Sequence, residues 1–142
     1  MAKQWEITRD QIKQEPVFGK YHNPAKMREL DEQLEEVCVK AQNHDLVQKL
    51  CRKIIEEVAN IIQHNKNWNT LRVRSEFKWN PNTFKFQILY DGGQYFDPKD
   101  LANVMGSSLS KFDSYEREPE IDQATGEVRI NISIALKVSE NE

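Results

Sequence analysis

Between Val128 and Val138 the chain alternates without a break. Val128, Ile130, Ile132, Ile134, Leu136 and Val138 are large and apolar, while Arg129, Asn131, Ser133, Ala135 and Lys137 are polar or small. Successive side chains of a strand point to opposite sides, so this pattern predicts a strand over about 128–138 with one buried and one wet face. The wet positions are an ordinary solvated set and no catalytic array. The feature therefore constrains architecture far more than chemistry.

A half-buried strand needs a core to lie on, and a chain of 142 residues supplies one without disulfides or metal. Hydrophobic content of 38%, charged content of 30% and a formal net charge of −3 describe a globular chain. They imply neither a strongly basic nucleic-acid binder nor an acidic nucleic-acid mimic. No apolar run approaches the roughly 20 residues that a membrane helix needs, and the first residues lack the apolar core of a signal peptide. The expectation is a protein of the cytoplasm of a producing or host cell, with no membrane partner. Cys38 and Cys51 fall on apolar helix faces and are expected as buried, reduced thiols, with an interhelix disulfide as the alternative in an oxidising compartment.

Three helices are expected. Asn23-Pro24 combines a good N-cap with proline at the first helical position. Met27, Leu30, Leu34, Val37, Cys38 and Ala41 then follow at helical spacing, giving a helix over about 24–42. A second stripe, Val47, Leu50, Cys51, Ile54, Val58, Ile61 and Ile62, would face the opposite side of one continuous helix. A break at Asn43-His44 and a capping box at Asp45–Gln48 instead predict a second helix over 45–64 and an αα-hairpin. Asp97-Pro98 opens the third helix, over about 98–112, with Leu101, Val104, Met105, Leu109 and Phe112 on one stripe.

Three further strands are expected, at about 71–79, 84–90 and 115–121. The first two form a hairpin across Asn80–Thr83, and the third, polar and interrupted by Pro119, belongs at a sheet edge. The predicted fold is α+β: an N-terminal αα-hairpin followed by a β-β-α-β-β unit, forming a four-stranded antiparallel sheet with helices packed on one face. The strand at 128–138 is its expected centre. Residues 1–22 show no sustained period and are expected to be an arm, ordered on a partner, beside a single domain over 23–142.

Site signatures are weak. His22, His44 and His64 stand on separate segments, and no His or Cys pair has metal-ligand spacing, so neither metal nor cofactor is expected. Asp91-Gly92-Gly93 lacks the continuation of a phosphate loop and reads as a turn. Gly106-Ser107-Ser108 lacks a nucleophile elbow. Glu116, Glu118, Glu120 and Asp122 share one strand face and read as charge guarding an edge.

The leading expectation is a non-catalytic protein-interaction or assembly protein, binding a protein partner or forming a homo-oligomer. Its general character suggests a phage-type accessory protein, either a virion component or an inhibitor of a host system. Trp5, Phe18, Tyr21, Trp68, Tyr95 and Phe96, out of strand parity or in loops, are the candidate partner-binding residues. The alternative is a nucleic-acid-binding module using a basic sheet face of Arg72, Arg74, Lys78, Lys85, Arg129 and Lys137. A small enzyme is the third reading, and a deep pocket converging on Asp91, Tyr90 or Glu120 would support it.

Overall fold

The computed structural model describes residues 2–11, 24–42, 44–64, 68–78, 83–105, 115–122 and 124–135. Its elements run β1 (Ala2–Thr8), α1 (Pro24–Lys40), α2 (Asp45–His64), β2 (Thr70–Lys78), β3 (Thr83–Tyr90), α3 (Pro98–Met105), β4 (Tyr115–Asp122) and β5 (Glu127–Ala135). The class is α+β, with three helices and one antiparallel sheet of five strands in the order β1-β2-β3-β5-β4.

The fifth strand corrects the expectation of a four-stranded sheet beside an arm. Within residues 1–22, Ala2–Thr8 pairs with β2 along its whole length, from Ala2 opposite Glu76 to Thr8 opposite Thr70. Trp5 and Ile7 point into the core while Gln4 and Glu6 point away. That alternation is too short to stand out in the sequence. The Trp5 indole N–H donates to the Lys26 carbonyl at 2.7 Å, fastening β1 to the start of α1. Phe18, Tyr21 and His22 lie outside the described residues.

Each helix starts and stops for local reasons. Gln42 takes a left-handed conformation, φ 56°, and ends α1 where the two apolar stripes demand a change of direction. His44, and not the expected Asp45, caps α2. Its carbonyl accepts the first helical bond from Gln48 N–H at 3.0 Å, and its Nδ1 accepts from Leu46 N–H at 3.2 Å, satisfying one of the amides that the first helical turn leaves free. At α3 the expected cap holds, since Asp97 Oδ1 accepts from the Asp100 amide at 2.8 Å.

One buried cluster joins the inner face of the sheet to the helices. Its centre is the row Trp5, Val73, Ile88 and Ile130, one residue from each of four adjacent strands. Helix α1 packs on β1 and β2. Ser75, the one buried polar residue among those described, is reached there by Gln33 Nε2 at 3.3 Å. Helix α2 reaches the opposite edge, where Arg117 of β4 and Glu57 form an ion pair at 2.8 Å with side chains only 5% and 13% exposed.

The centre of the sheet is β3, flanked by β2 and β5, and β5 lies one place off the expected centre. Strand β4, with Pro119, occupies an edge as anticipated. Helix α3 ends its described course at Met105. Only Val104 of its predicted stripe is buried there, while Leu101 and Met105 are 45% and 55% exposed. Residues 106–114 lie outside the description.

Candidate functional site: the outer face of the sheet

Helices cover one face of the sheet, and no described element packs on the other. Strand periodicity sends every second side chain to this outer face. The antiparallel register then lines those side chains up in rows across the five strands. The middle row is Gln4, Arg74, Gln87, Asn131 and Glu118. Arg74 Nε donates to Gln4 Oε1 at 2.9 Å and Arg74 Nη1 to Gln87 Oε1 at 3.4 Å. Gln87 Nε2 continues to Asn131 Oδ1 at 2.8 Å. A polar ladder thus spans four strands and ends beside the Glu118 carboxylate on β4. Side chains tied to one another in this way hold fixed directions, and their remaining donors and acceptors face solvent.

This face is hollow in two places. A cavity of about 570 Å³ lies over the ladder, with Lys3, Lys85, Glu76 and Ser133 around it. A second hollow of about 440 Å³ lies toward the Asp91 end, lined by Arg72, Leu89, Asp122 and Glu127. Leu89 is the large apolar side chain of this outer surface. Arg72 and Arg129 stand directly opposite it on the two flanking strands, and it is only 6% exposed.

Charge is distributed unevenly. Arg72 is paired with Glu6 at 2.9 Å and Arg129 with Glu127 at 2.9 Å. Lys85 faces Glu76 across the β2–β3 register. On β4, Glu116, Glu118 and Glu120 are exposed and have no ion-pair or hydrogen-bond partner among the described residues. The face is therefore close to neutral from β1 to β5 and negative along β4. Of the predicted basic set, Arg72, Arg74, Lys85 and Arg129 do share this face, but in the company of carboxylates. Lys137 and the side chain of Lys78 lie outside the description.

The predicted partner-binding aromatics do not form one surface. Trp5 is 3% and Trp68 1% exposed. Arg9 covers Trp68, its guanidinium carbon 4.1 Å from the ring centroid, while its Nε donates to the Trp68 carbonyl at 3.1 Å. Both tryptophans are core residues, which removes the exposure on which their assignment rested. Phe96 is partly buried, packed at 6.1 Å on Tyr90. Tyr95 alone of the six is shown exposed, at 65%.

Asp91 and Tyr90 both line the second hollow and Glu120 does not, but neither of the two turns a free polar group into it. The Asp91 carboxylate closes the Asn69–Thr70 loop, accepting from both backbone amides at 2.6 and 3.2 Å and from the Asn69 side chain at 3.2 Å. Burial works to raise its pKa, but these bonds outweigh it and leave the group below its ordinary value. The Tyr90 hydroxyl points to the opposite, inner side, where it is buried without a partner and burial holds its pKa well above that of a free tyrosine. Gly92, φ 94°, and Gly93, whose amide bonds the Gly126 carbonyl at 2.7 Å, are turn and close-packing glycines. Among the described residues no group of His, Cys, Asp or Glu side chains is arranged to hold a metal, and no helix is long and apolar enough to cross a membrane.

Fold and face together define a two-layer α+β domain with an open, hollow, polar sheet surface. No family model, curated protein or solved structure matches the chain.

Proposed function

We propose that the protein is a non-catalytic binding module that docks a protein partner on the outer face of its sheet, the partner presenting lysine- and arginine-rich surface to the β4 side. One observation carries this reading: a hydrogen-bonded polar ladder from β1 to β5 in a hollow that no described element fills. Preorganised polar groups cost little to order on binding, and complementary charge steers the encounter. The reading is the same whether the partner is a particle component or part of a host system.

A phosphate backbone is disfavoured here, because the arginines are already engaged by Glu6, Glu127, Gln4 and Gln87, and the β4 carboxylates would repel it. No aromatic side chain described on this face offers stacking. Self-association through the same face would oppose two acidic β4 strands or leave both unneutralised.

The test is fluorescence anisotropy at low salt, with a labelled lysine/arginine-rich peptide, an aspartate/glutamate-rich peptide of equal length and a mixed-sequence RNA as probes. The basic peptide is expected to bind, more weakly as salt rises, and the double substitution Glu118→Lys with Glu120→Lys to weaken it by about tenfold or more. Absence of binding, or RNA binding that Arg72→Ala and Arg74→Ala abolish, would overturn the proposal.

A further inference from the structure

The hairpin of α1 and α2 buries two thiols against each other. Cys38 lies in the last turn of α1 and Cys51 in the second turn of α2, and their sulfurs are 3.7 Å apart. The Cys38 thiol is directed at Cys51 Sγ, and the Cys51 thiol at the Leu34 carbonyl, also at 3.7 Å. Both cysteines are free and buried. A disulfide needs a sulfur separation of about 2.05 Å, a closure of about 1.7 Å that side-chain rotation and a slight approach of two adjacent helices can supply.

We propose that Cys38 and Cys51 are an oxidation site, which a low-molecular-weight disulfide such as oxidised glutathione converts into a cross-link between α1 and α2. In the first step the Cys38 thiol, the less deeply buried of the two, loses its proton to solvent and attacks the reagent disulfide. The reagent's S–S bond breaks, one thiol of it leaves, and a mixed disulfide forms on Cys38. In the second step the Cys51 sulfur, also deprotonated, attacks Cys38 Sγ and expels the second reagent thiol. Two protein thiols are oxidised and one disulfide is reduced to two thiols, so electrons and protons balance.

Burial sets the rate. It raises the pKa of both thiols, Cys51 the more, so the thiolate is scarce at neutral pH and exchange quickens as pH rises. Once formed, the link closes a short loop around the Gln42 turn and fixes α1, which holds β1 through Trp5 and through the Lys3–Glu36 ion pair. Restricting the unfolded chain in this way is expected to raise Tm by about 10 °C.

The experiment treats the folded full-length protein with oxidised glutathione at pH 7 and at pH 8.5. Peptide mapping without reductant, melting curves and alkylation of residual thiols after denaturation follow. The expected result is a linked peptide pair containing Cys38 and Cys51, faster at the higher pH, with a raised Tm that dithiothreitol reverses. Cys38→Ser should show neither the link nor the rise. The proposal is overturned if both thiols of the native protein remain alkylatable, if glutathione stays on Cys38 without passing to Cys51, or if the link forms and Tm does not rise. The mapping on the native sequence decides the matter even where a cysteine variant folds poorly.

Discussion

Two rows of side chains cross the same strands one residue apart. Trp5, Val73, Ile88, Ile130 and Pro119 form the inner row, and Gln4, Arg74, Gln87, Asn131 and Glu118 the outer one. They share backbone, register and twist. The inner row is covered by α1 and α2 and holds the fold together by removing apolar surface from water, at roughly 25 cal/mol per Å². The outer row gains little from folding, because its groups exchange water for one another. A residue whose contribution to stability is small is free to be chosen for something else, and that is what makes the outer row the place to look for function.

Substitutions on paired positions test this division. Trp5→Ala and Ile130→Ala each leave a cavity in the core and are expected to cost about 3–4 kcal/mol in urea unfolding. The Trp5 result bears on β1 as well, since removing an anchor from a dispensable arm would cost almost nothing. Arg117→Met, which removes the β4 partner of the nearly buried Glu57 carboxylate of α2, is expected to cost about 3 kcal/mol. A cost below about 1 kcal/mol would show that the pair is solvated and that the inner face is wetter at the β4 edge than the described contacts imply.

Asp91→Asn removes a carboxylate acceptor from the Asn69 and Thr70 amides and is expected to cost about 1–2 kcal/mol at neutral pH. The sign of its pH dependence follows from the lowered pKa. The Asp91 contribution is present above the unfolded-state pKa near 3.9 and is lost as pH falls through the lower folded value, so the difference between wild type and Asp91→Asn should shrink below about pH 4. Asn131→Ala and Gln87→Ala, the outer neighbours of core residues, are expected to cost less than about 1 kcal/mol and to weaken the basic peptide. Should they destabilise as much as Ile130→Ala, the outer ladder would be structural and the contrast between the faces would fail.

Much of the inner face was legible in the sequence. Helix α2 occupies the predicted 45–64, and β2, β3 and β4 each fall within a residue of the expected bounds. Long stripes at periods of 3.6 and 2 leave few alternatives when they end in caps, prolines and turns. Strand β1 was hidden because its signal is only Trp5 and Ile7 between Gln4, Glu6 and Thr8, and because an edge strand draws its stability from a partner, β2, more than sixty residues away. The two tryptophans were misplaced for a related reason. Their burial depends on Lys26 and Arg9, which reach them across the fold.

The outer face was legible residue by residue but not as a surface. Parity alone put Arg72, Arg74, Lys85 and Arg129 on one side. What engages them from β1, the Glu6 carboxylate paired with Arg72 and the Gln4 amide bonded to Arg74, could enter only once β1 was known to be a strand. The insertion of β5 between β3 and β4 likewise sets the carboxylates of β4 apart at an edge, away from the arginines of β2. Apart from Pro119, which marks β4 as an edge, strand order is fixed by long-range pairing and leaves little local mark in a sequence. It changed a face that looked basic into one that is neutral at one side and acidic at the other.

The most direct test of a docking surface on the outer face is backbone amide mapping by NMR as the lysine/arginine-rich peptide is added to the full-length protein. The expected shifts gather at Arg74, Gln87, Asn131, Glu118 and Glu120, with Leu50, Ile54 and Val58 of α2 unmoved. Shifts centred on the helices, or on Tyr95, Leu101 and Met105, would contradict the account.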